Sequence, residues 1–197
     1  KRQIYALRLG VYIFHARVMK DIEDPRYQLI RKKIGGKAEW WVFLYFLGQA
    51  LAIAIFSVPL MVLMVNPRDT WSIWEFSGAC VWMVGIVGET LADYQLQRFR
   101  QRSTNKGKTC REGLWGYSRH PNYFFEGVHW CAYVVMSVGI ANAWLTFVGP
   151  VLMIVALTKV SGIPFSEIQA LATRGDDYRE YQRTTSAFIP WFRKKRS

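Results

Sequence analysis

The stretch WWVFLYFLGQALAIAIFSVPLMVLMV, from Trp40 to Val65, carries no charged side chain and is long enough to cross a bilayer as a helix, since about 20 apolar residues span the hydrocarbon core. A soluble domain of 197 residues would spread its apolar residues at helical or strand period instead of pooling them in one run. Three shorter runs follow, from about Trp74 to Ala92, Phe124 to Ile140 and Trp144 to Val160. The turn Asn142-Ala143 between the last two is short enough to make them an antiparallel hairpin. Ile4 to Phe14 is apolar at most positions but covers half a span and contains Arg8, so it reads as the end of a truncated helix. The expected fold is all-α: a polytopic transmembrane helix bundle with four full spans plus a truncated N-terminal one, forming a single membrane domain over residues 1–197.

Charge fixes the expected orientation. Formal net charge is +12 although 51% of the residues are hydrophobic, so the chain is apolar in blocks and basic between them. The basic residues alternate with membrane-length runs and not with a platform of exposed aromatics, which argues against nucleic acid as a partner. Arg17 to Lys37, Arg98 to Arg119 and Arg174 to Arg196 are basic, whereas Asn66 to Thr70 holds Arg68 as its one basic residue, beside Asp69, and the Asn142 turn holds no charge. Alternate loops therefore share one face, the side on which basic loops are retained. The chain starts inside a helix at Lys1, so further helices are expected upstream, and no signal peptide is visible.

Cys80, Cys110 and Cys131 have no metal-ligand spacing, and His15, His120 and His129 form no paired-ligand pattern, so no metal site is expected. Gly35-Gly36-Lys37 lacks the upstream glycine of a phosphate loop and reads as a turn.

Polar chemistry concentrates in four clusters. Glu89, Asp93, Gln95, Gln97, Arg98 and Arg100 end the second span, with Glu89 and Asp93 four apart on one helical face. Carboxylates at a membrane edge are costly unless paired or functional, and the bland alternative is pairing with neighbouring Arg or Lys. The second cluster is Gly113-Leu114-Trp115-Gly116-Tyr117-Ser118-Arg119-His120-Pro121-Asn122-Tyr123-Phe124-Phe125-Glu126. Here Arg119 and His120 suit phosphate or carboxylate, Asn122 suits an amide, and Glu126 lies about one turn into the apolar run. Helix capping by Ser118 to Asn122 is the plainer reading, but it leaves the depth of Glu126 unexplained. Third, Glu167 through Tyr181, with Arg174, Asp176, Asp177, Tyr178 and Arg179, forms an amphipathic segment, so residues 161–197 read as a lid ending in a basic tail. Within it Thr184 to Trp191 reads as an apolar plug. The fourth cluster is Tyr5, Arg8, Tyr12 and Arg17.

Three segments together, Ala92-Asp93-Tyr94-Gln95-Leu96-Gln97-Arg98-Phe99-Arg100, the Gly113 to Glu126 motif and Glu180-Tyr181-Gln182-Arg183-Thr184-Thr185-Ser186-Ala187-Phe188-Ile189-Pro190, resemble the steroid 5-alpha-reductase-like family. Glu23-Asp24-Pro25-Arg26-Tyr27 resembles its short members. The resemblance covers nearly the whole chain. It implies a bundle that holds NADPH and reduces an activated carbon–carbon double bond in a sterol or other enone lipid. It also implies cofactor contacts at Asp93, Arg100, Ser118, Asn122, Glu126, Arg174 and Tyr178, and Tyr5 as the acid that polarises the enone oxygen; Arg119, His120 and Tyr123 join the expected cofactor contacts on their own chemistry and place in the motif.

Where the family carries an Arg-Asn-x-Gly-Lys-like stretch, this chain has Arg17-Val18-Met19-Lys20, and the helix that would bring a catalytic glutamate would lie upstream of Lys1. Two other readings stay open: a noncatalytic accessory subunit working with other membrane subunits, and a methyltransferase using S-adenosylmethionine. The latter rests on Arg119-His120-Pro121-Asn122-Tyr123, which resembles the isoprenylcysteine carboxyl methyltransferases. The expected setting is integral to the endoplasmic reticulum, bacterial inner or mitochondrial inner membrane.

Overall fold

The computed structural model describes residues 35, 38–65 and 70–193. Tyr5 with its cluster, the loop from Arg17 and the end of the basic tail lie outside them. Among the described residues six α-helices are defined: α1 (Ala38–Met64), α2 (Ile73–Gln101), α3 (Pro121–Met136), α4 (Val148–Val155), α5 (Ile163–Arg174) and α6 (Asp176–Thr184). Apart from one isolated bridge between Ser118 and Ser186, the regular structure among the described residues is helical.

The chain divides into two compact units after Ile53. In the first, the described part of α1 has Trp40 stacked on Phe43 at 5.5 Å and a largely exposed apolar surface. In the second, the remainder of α1 sets Phe56 against Trp130 at 5.0 Å.

Two helical stretches among the described residues, Glu39–Met64 and Ala143–Arg174, are long and apolar enough to cross a membrane. Helix also occurs at the other two expected spans, with different bounds. α2 extends from Ile73 to Gln101, past the apolar run, because Asp93 to Gln101 are polar but still compatible with helix. Glu75, Glu89, Asp93, Arg98 and Arg100 give α2 more charge than an ordinary span. α3 has 16 residues and stops at Met136, before the Ser137 to Asn142 turn, in which Gly139 and Asn142 have φ of 78° and 60°.

Local chemistry explains the helix starts. The Ser72 side chain accepts from the Glu75 backbone N–H while Glu75 reaches back to the Ser72 backbone, a reciprocal cap that begins α2. Pro121 begins α3, where its missing N–H leaves no intrahelical bond unmade. The last apolar run is one helical path of uneven pitch: a tight turn at Ala143–Phe147, then α4, then a wide turn at Ala156–Val160. Ser137 and Thr146 share a hydrogen bond of 2.9 Å beneath the connection, and α3 packs against α4 across it.

The principal helix pair is α2 on α3. Gly78, Gly85 and Gly88 are buried on one face of α2 and permit the close approach. A Cβ at Gly85 would meet the His129 Cα and backbone N at 2.8 Å, and one at Gly88 would strike the Phe125 ring. Gly85→Leu is expected to lower stability by about 1–3 kcal/mol, since a backbone cannot yield as a flexible side chain can. Thermal unfolding in detergent tests this; an unchanged midpoint would mean that the pair is not held at this distance.

Candidate functional site

A cavity of about 310 Å³ opens between the polar end of α2, the loop before α3, the start of α3, and helices α5 and α6. The periodicity of α2 sets one wall: Asp93, Leu96 and Arg100 recur at three and four residues and so share a face. Ser166, Gln169, Ala170 and Arg174 do the same on α5, and Tyr178 and Tyr181 on α6. The loop contributes Thr109, Cys110 and Trp115, and the segment into α3 contributes Arg119, His120, Asn122 and Tyr123.

The loop is fixed by hydrogen bonds reaching across the sequence. Trp115 Nε1 donates to Ala92 O at 2.8 Å, and the Leu114 backbone N–H donates to Gln95 Oε1 at 2.9 Å. Gly113 has φ of 57°, and a Cβ there would strike the Gln95 side chain. The buried Tyr181 hydroxyl donates to the carbonyls of Trp115 and Ser118. Burial pushes the Tyr181 pKa up, so it remains a protonated donor, and burial likewise raises the Cys110 thiol and keeps it an inert wall.

The segment before α3 is clamped by the C-terminal strap. Arg119 N donates to Ser186 O at 2.8 Å, Ser118 Oγ to Phe188 O at 2.8 Å, and Trp191 N to Tyr117 O at 2.9 Å. The residues expected to plug the mouth therefore lie alongside 117–119. Ser118 is fully buried in this contact and is not among the cavity's lining side chains.

Arg119 lines the cavity but is already engaged. Its Nε meets Glu167 Oε1 at 2.7 Å, and its Nη1 donates to the carbonyls of Gln182 and Thr185, both at 2.8 Å. Glu167 also receives Gln182 Nε2 at 2.7 Å, approaches His120 Nε2 at 3.2 Å and accepts from Tyr178 OH at 3.4 Å. His120 is stacked on Tyr123, with ring centroids 5.4 Å apart. Burial, then the adjacent Glu167 charge, pushes the Tyr178 pKa up, so Tyr178 enters the cavity wall as a donor.

Several polar groups differ in having unused capacity, Thr109 Oγ1 among them. Asn122 Nδ2 donates to Asp93 Oδ1 at 3.2 Å, but Asn122 Oδ1 is buried with no hydrogen-bond partner. Arg100 and Arg174 form no ion pair among the described residues, and the Arg174 guanidinium lies 5.5 Å over the Tyr178 ring. Buried acceptors are nearly always satisfied, so an orphan on a cavity wall marks where a ligand donor fits.

Of the residues singled out in the sequence, Asp93, Arg100, Arg119, His120, Asn122, Tyr123, Arg174 and Tyr178 meet at this cavity. Glu126 does not: it accepts from Trp130 Nε1 at 2.9 Å and lies 3.6 Å from His129 Nδ1, one turn farther along α3. Glu167 was visible only as the start of an amphipathic segment. Its role as the acceptor for Arg119 lies 48 residues away in sequence, beyond any spacing rule. Among the described residues no group of acidic, His or Cys side chains could hold a metal ion.

Asp177 fastens α6 to the loop through Thr109 N at 2.7 Å and Arg111 Nη2 at 2.9 Å. Burial alone would raise its carboxyl, but the Thr109 hydrogen bonds and the Arg111 charge outweigh burial and hold it below the ordinary value of 3.8. Because the folded value is depressed, the resulting stability is fully present above the unfolded pKa and is lost as pH falls through the folded one. The unfolding midpoint is therefore expected to drop on acidification below about pH 4, and Asp177→Asn to reduce that drop. An equal acid dependence in the variant would remove Asp177 as its source.

Fold and site together define a helical protein with membrane-length apolar stretches and a cavity bearing unpaired cations. The chain belongs to the DUF1295 family, described as a protein of unknown function, which it matches over residues 2–185. It is similar to 3-oxo-5-alpha-steroid 4-dehydrogenase 1 of Bos taurus, 33% identical over 61 residues that make up 31% of this chain and 24% of that protein. The Mus musculus and Rattus norvegicus proteins of the same name are each 34% identical over 61 residues, with the same coverage. The match thus spans about a quarter of the length of these curated relatives. No solved structure matches the chain. The steroid 5-alpha-reductase-like character read from the motifs holds.

Proposed function

We propose that the protein is an NADPH-dependent membrane reductase that saturates an activated carbon–carbon double bond in a sterol or other enone lipid. The observation that carries this reading is the buried, unpartnered Asn122 Oδ1 on a cavity wall that also presents the unpaired Arg100 and Arg174. A dinucleotide brings what these groups lack, an amide donor at one end and phosphate charge along its length. The similarity to 3-oxo-5-alpha-steroid 4-dehydrogenase 1 supports a steroid-like substrate.

In this reading Arg100 and Arg174 neutralise phosphate charge, and Asn122, held by Asp93, accepts from a carboxamide. Arg119 and His120 shape the wall through Glu167, Tyr178 supplies a protonated hydroxyl, and Ser118 positions the strap. Bound NADPH would supply the hydride. Tyr5 keeps the acid role that the resemblance implies. The chain is read as one membrane domain with four spans, at Trp40–Val65, Trp74–Ala92, Phe124–Ile140 and Trp144–Val160, and with residues 161–197 as a lid.

Ligand-induced thermal stabilisation of the detergent-solubilised protein tests the cofactor. Stabilisation by NADPH supports the reductase, and stabilisation by S-adenosylmethionine alone moves the protein to the methyltransferases. No response to either favours a noncatalytic subunit.

A further inference from the structure

Beside the first cavity lies a second cleft of about 210 Å³, and the two share Leu96, Arg100, Cys110 and Arg174 as walls. Its outer wall adds Lys106 and Lys108 from the loop after α2. Among the described residues none of these four cations makes an ion pair, and no acidic side chain lines the cleft. Four like charges around one small space repel one another unless an anion enters.

The loop is also held in place. Asn105 Nδ2 donates to Phe99 O at 3.0 Å, tying the loop to the last turns of α2, and Lys108 N donates to Asn105 O at 3.0 Å. Between the lysines, Gly107 has φ of 78°, a conformation that glycine adopts without strain. These cations therefore sit on a defined turn and not on an open tail.

Resting on the cofactor reading above, we infer that this cleft is the subsite for a phosphomonoester on the dinucleotide, the group that NADPH carries and NADH lacks. The two spaces adjoin at Leu96, Arg100, Cys110 and Arg174, so in this proposal one elongated ligand occupies both, with Arg100 and Arg174 at the junction. A ribose hydroxyl in place of the phosphate would gain little from a cleft without an acceptor carboxylate. The preference is electrostatic and partly exposed, so it weakens as salt rises.

The test is titration of the full chain, in phosphatidylcholine nanodiscs, with NADPH and NADH. Wild type is expected to bind NADPH more tightly, and the double variant Lys106→Ala/Lys108→Ala to lose roughly 10- to 100-fold of NADPH affinity while its NADH affinity stays unchanged. Adenosine 2′,5′-bisphosphate should compete against NADPH more strongly than 5′-AMP in wild type and by a smaller margin in the variant, in which Arg100 and Arg174 remain. An unaltered NADPH-to-NADH ratio in the variant overturns the subsite and leaves the cofactor reading standing, whereas a wild type that binds neither nucleotide removes both. Repeating the titration with phosphatidic acid in the discs separates the sources of phosphate. If the lysines govern only binding to that lipid, the cleft serves a headgroup and the dinucleotide assignment falls.

Discussion

Replacing Arg100 and Arg174 together by alanine is expected to weaken NADPH binding by about a hundredfold to ten-thousandfold, from about 1.5–3 kcal/mol for each hydrogen bond to a charged group. The magnitude follows from which cations are available. Arg119 faces the same cavity, but three of its five donors go to Glu167 and two carbonyls and the Glu167 carboxylate neutralises its charge, so it substitutes poorly for either residue. Among the described residues Arg100 and Arg174 have no such partners and no ion pair is lost with them. The double variant should therefore lose the nucleotide-induced shift, while its unliganded stability falls by no more than about 0.5–1 kcal/mol, from the Arg174 contact with Tyr178. NADH binding should fall as well, because these residues meet charge that both nucleotides carry. That separates them from Lys106 and Lys108, whose loss should be felt by NADPH alone. Wild-type affinity in the Arg100→Ala/Arg174→Ala protein would remove the cavity as the cofactor site.

The sequence made these two arginines visible for different reasons. Arg100 ends a helix whose apolar run stops at Asp93, so its place on a polar helical end followed from hydropathy alone. Arg174 was one of several charges in an amphipathic segment, and nothing in its spacing showed that α5 and α6 would turn at Gly175 to set it over Tyr178. The pairing of Arg119 with Glu167 was equally hidden, because charge type cannot select one partner among many across 48 residues. Helix positions were easier to read than helix ends: apolarity locates α2 and α3, whereas Pro121 and the Ser137 to Asn142 turn decide where α3 begins and ends. Lys106 and Lys108 read as members of a basic loop. Only the turn at Gly107, fixed by Asn105, places them on one cleft.

The largest stability effect is expected from Glu167→Ala, about 3–5 kcal/mol, the range found when one partner of a buried ion pair is removed. Arg119 and Glu167 side chains are only 11% and 15% exposed, so solvent can do little to replace the lost charge. The carboxylate also receives Gln182 Nε2, accepts from the Tyr178 hydroxyl and lies beside His120, and its removal frees α5, α6 and the segment before α3 at once. Glu167→Gln keeps the shape and one acceptor oxygen but lacks the charge, so it should fall between wild type and alanine. Thermal unfolding in detergent gives the ranking, and a cycle with Arg119→Met isolates the pair: once Arg119 is neutral, Glu167→Ala should cost markedly less than in wild type. If the two losses simply add, Glu167 acts through Gln182, Tyr178 and His120 and not through Arg119. If Glu167→Ala leaves the midpoint unchanged, the clamp between the α3 segment and the C-terminal helices is held by the strap at Ser186 to Trp191 instead.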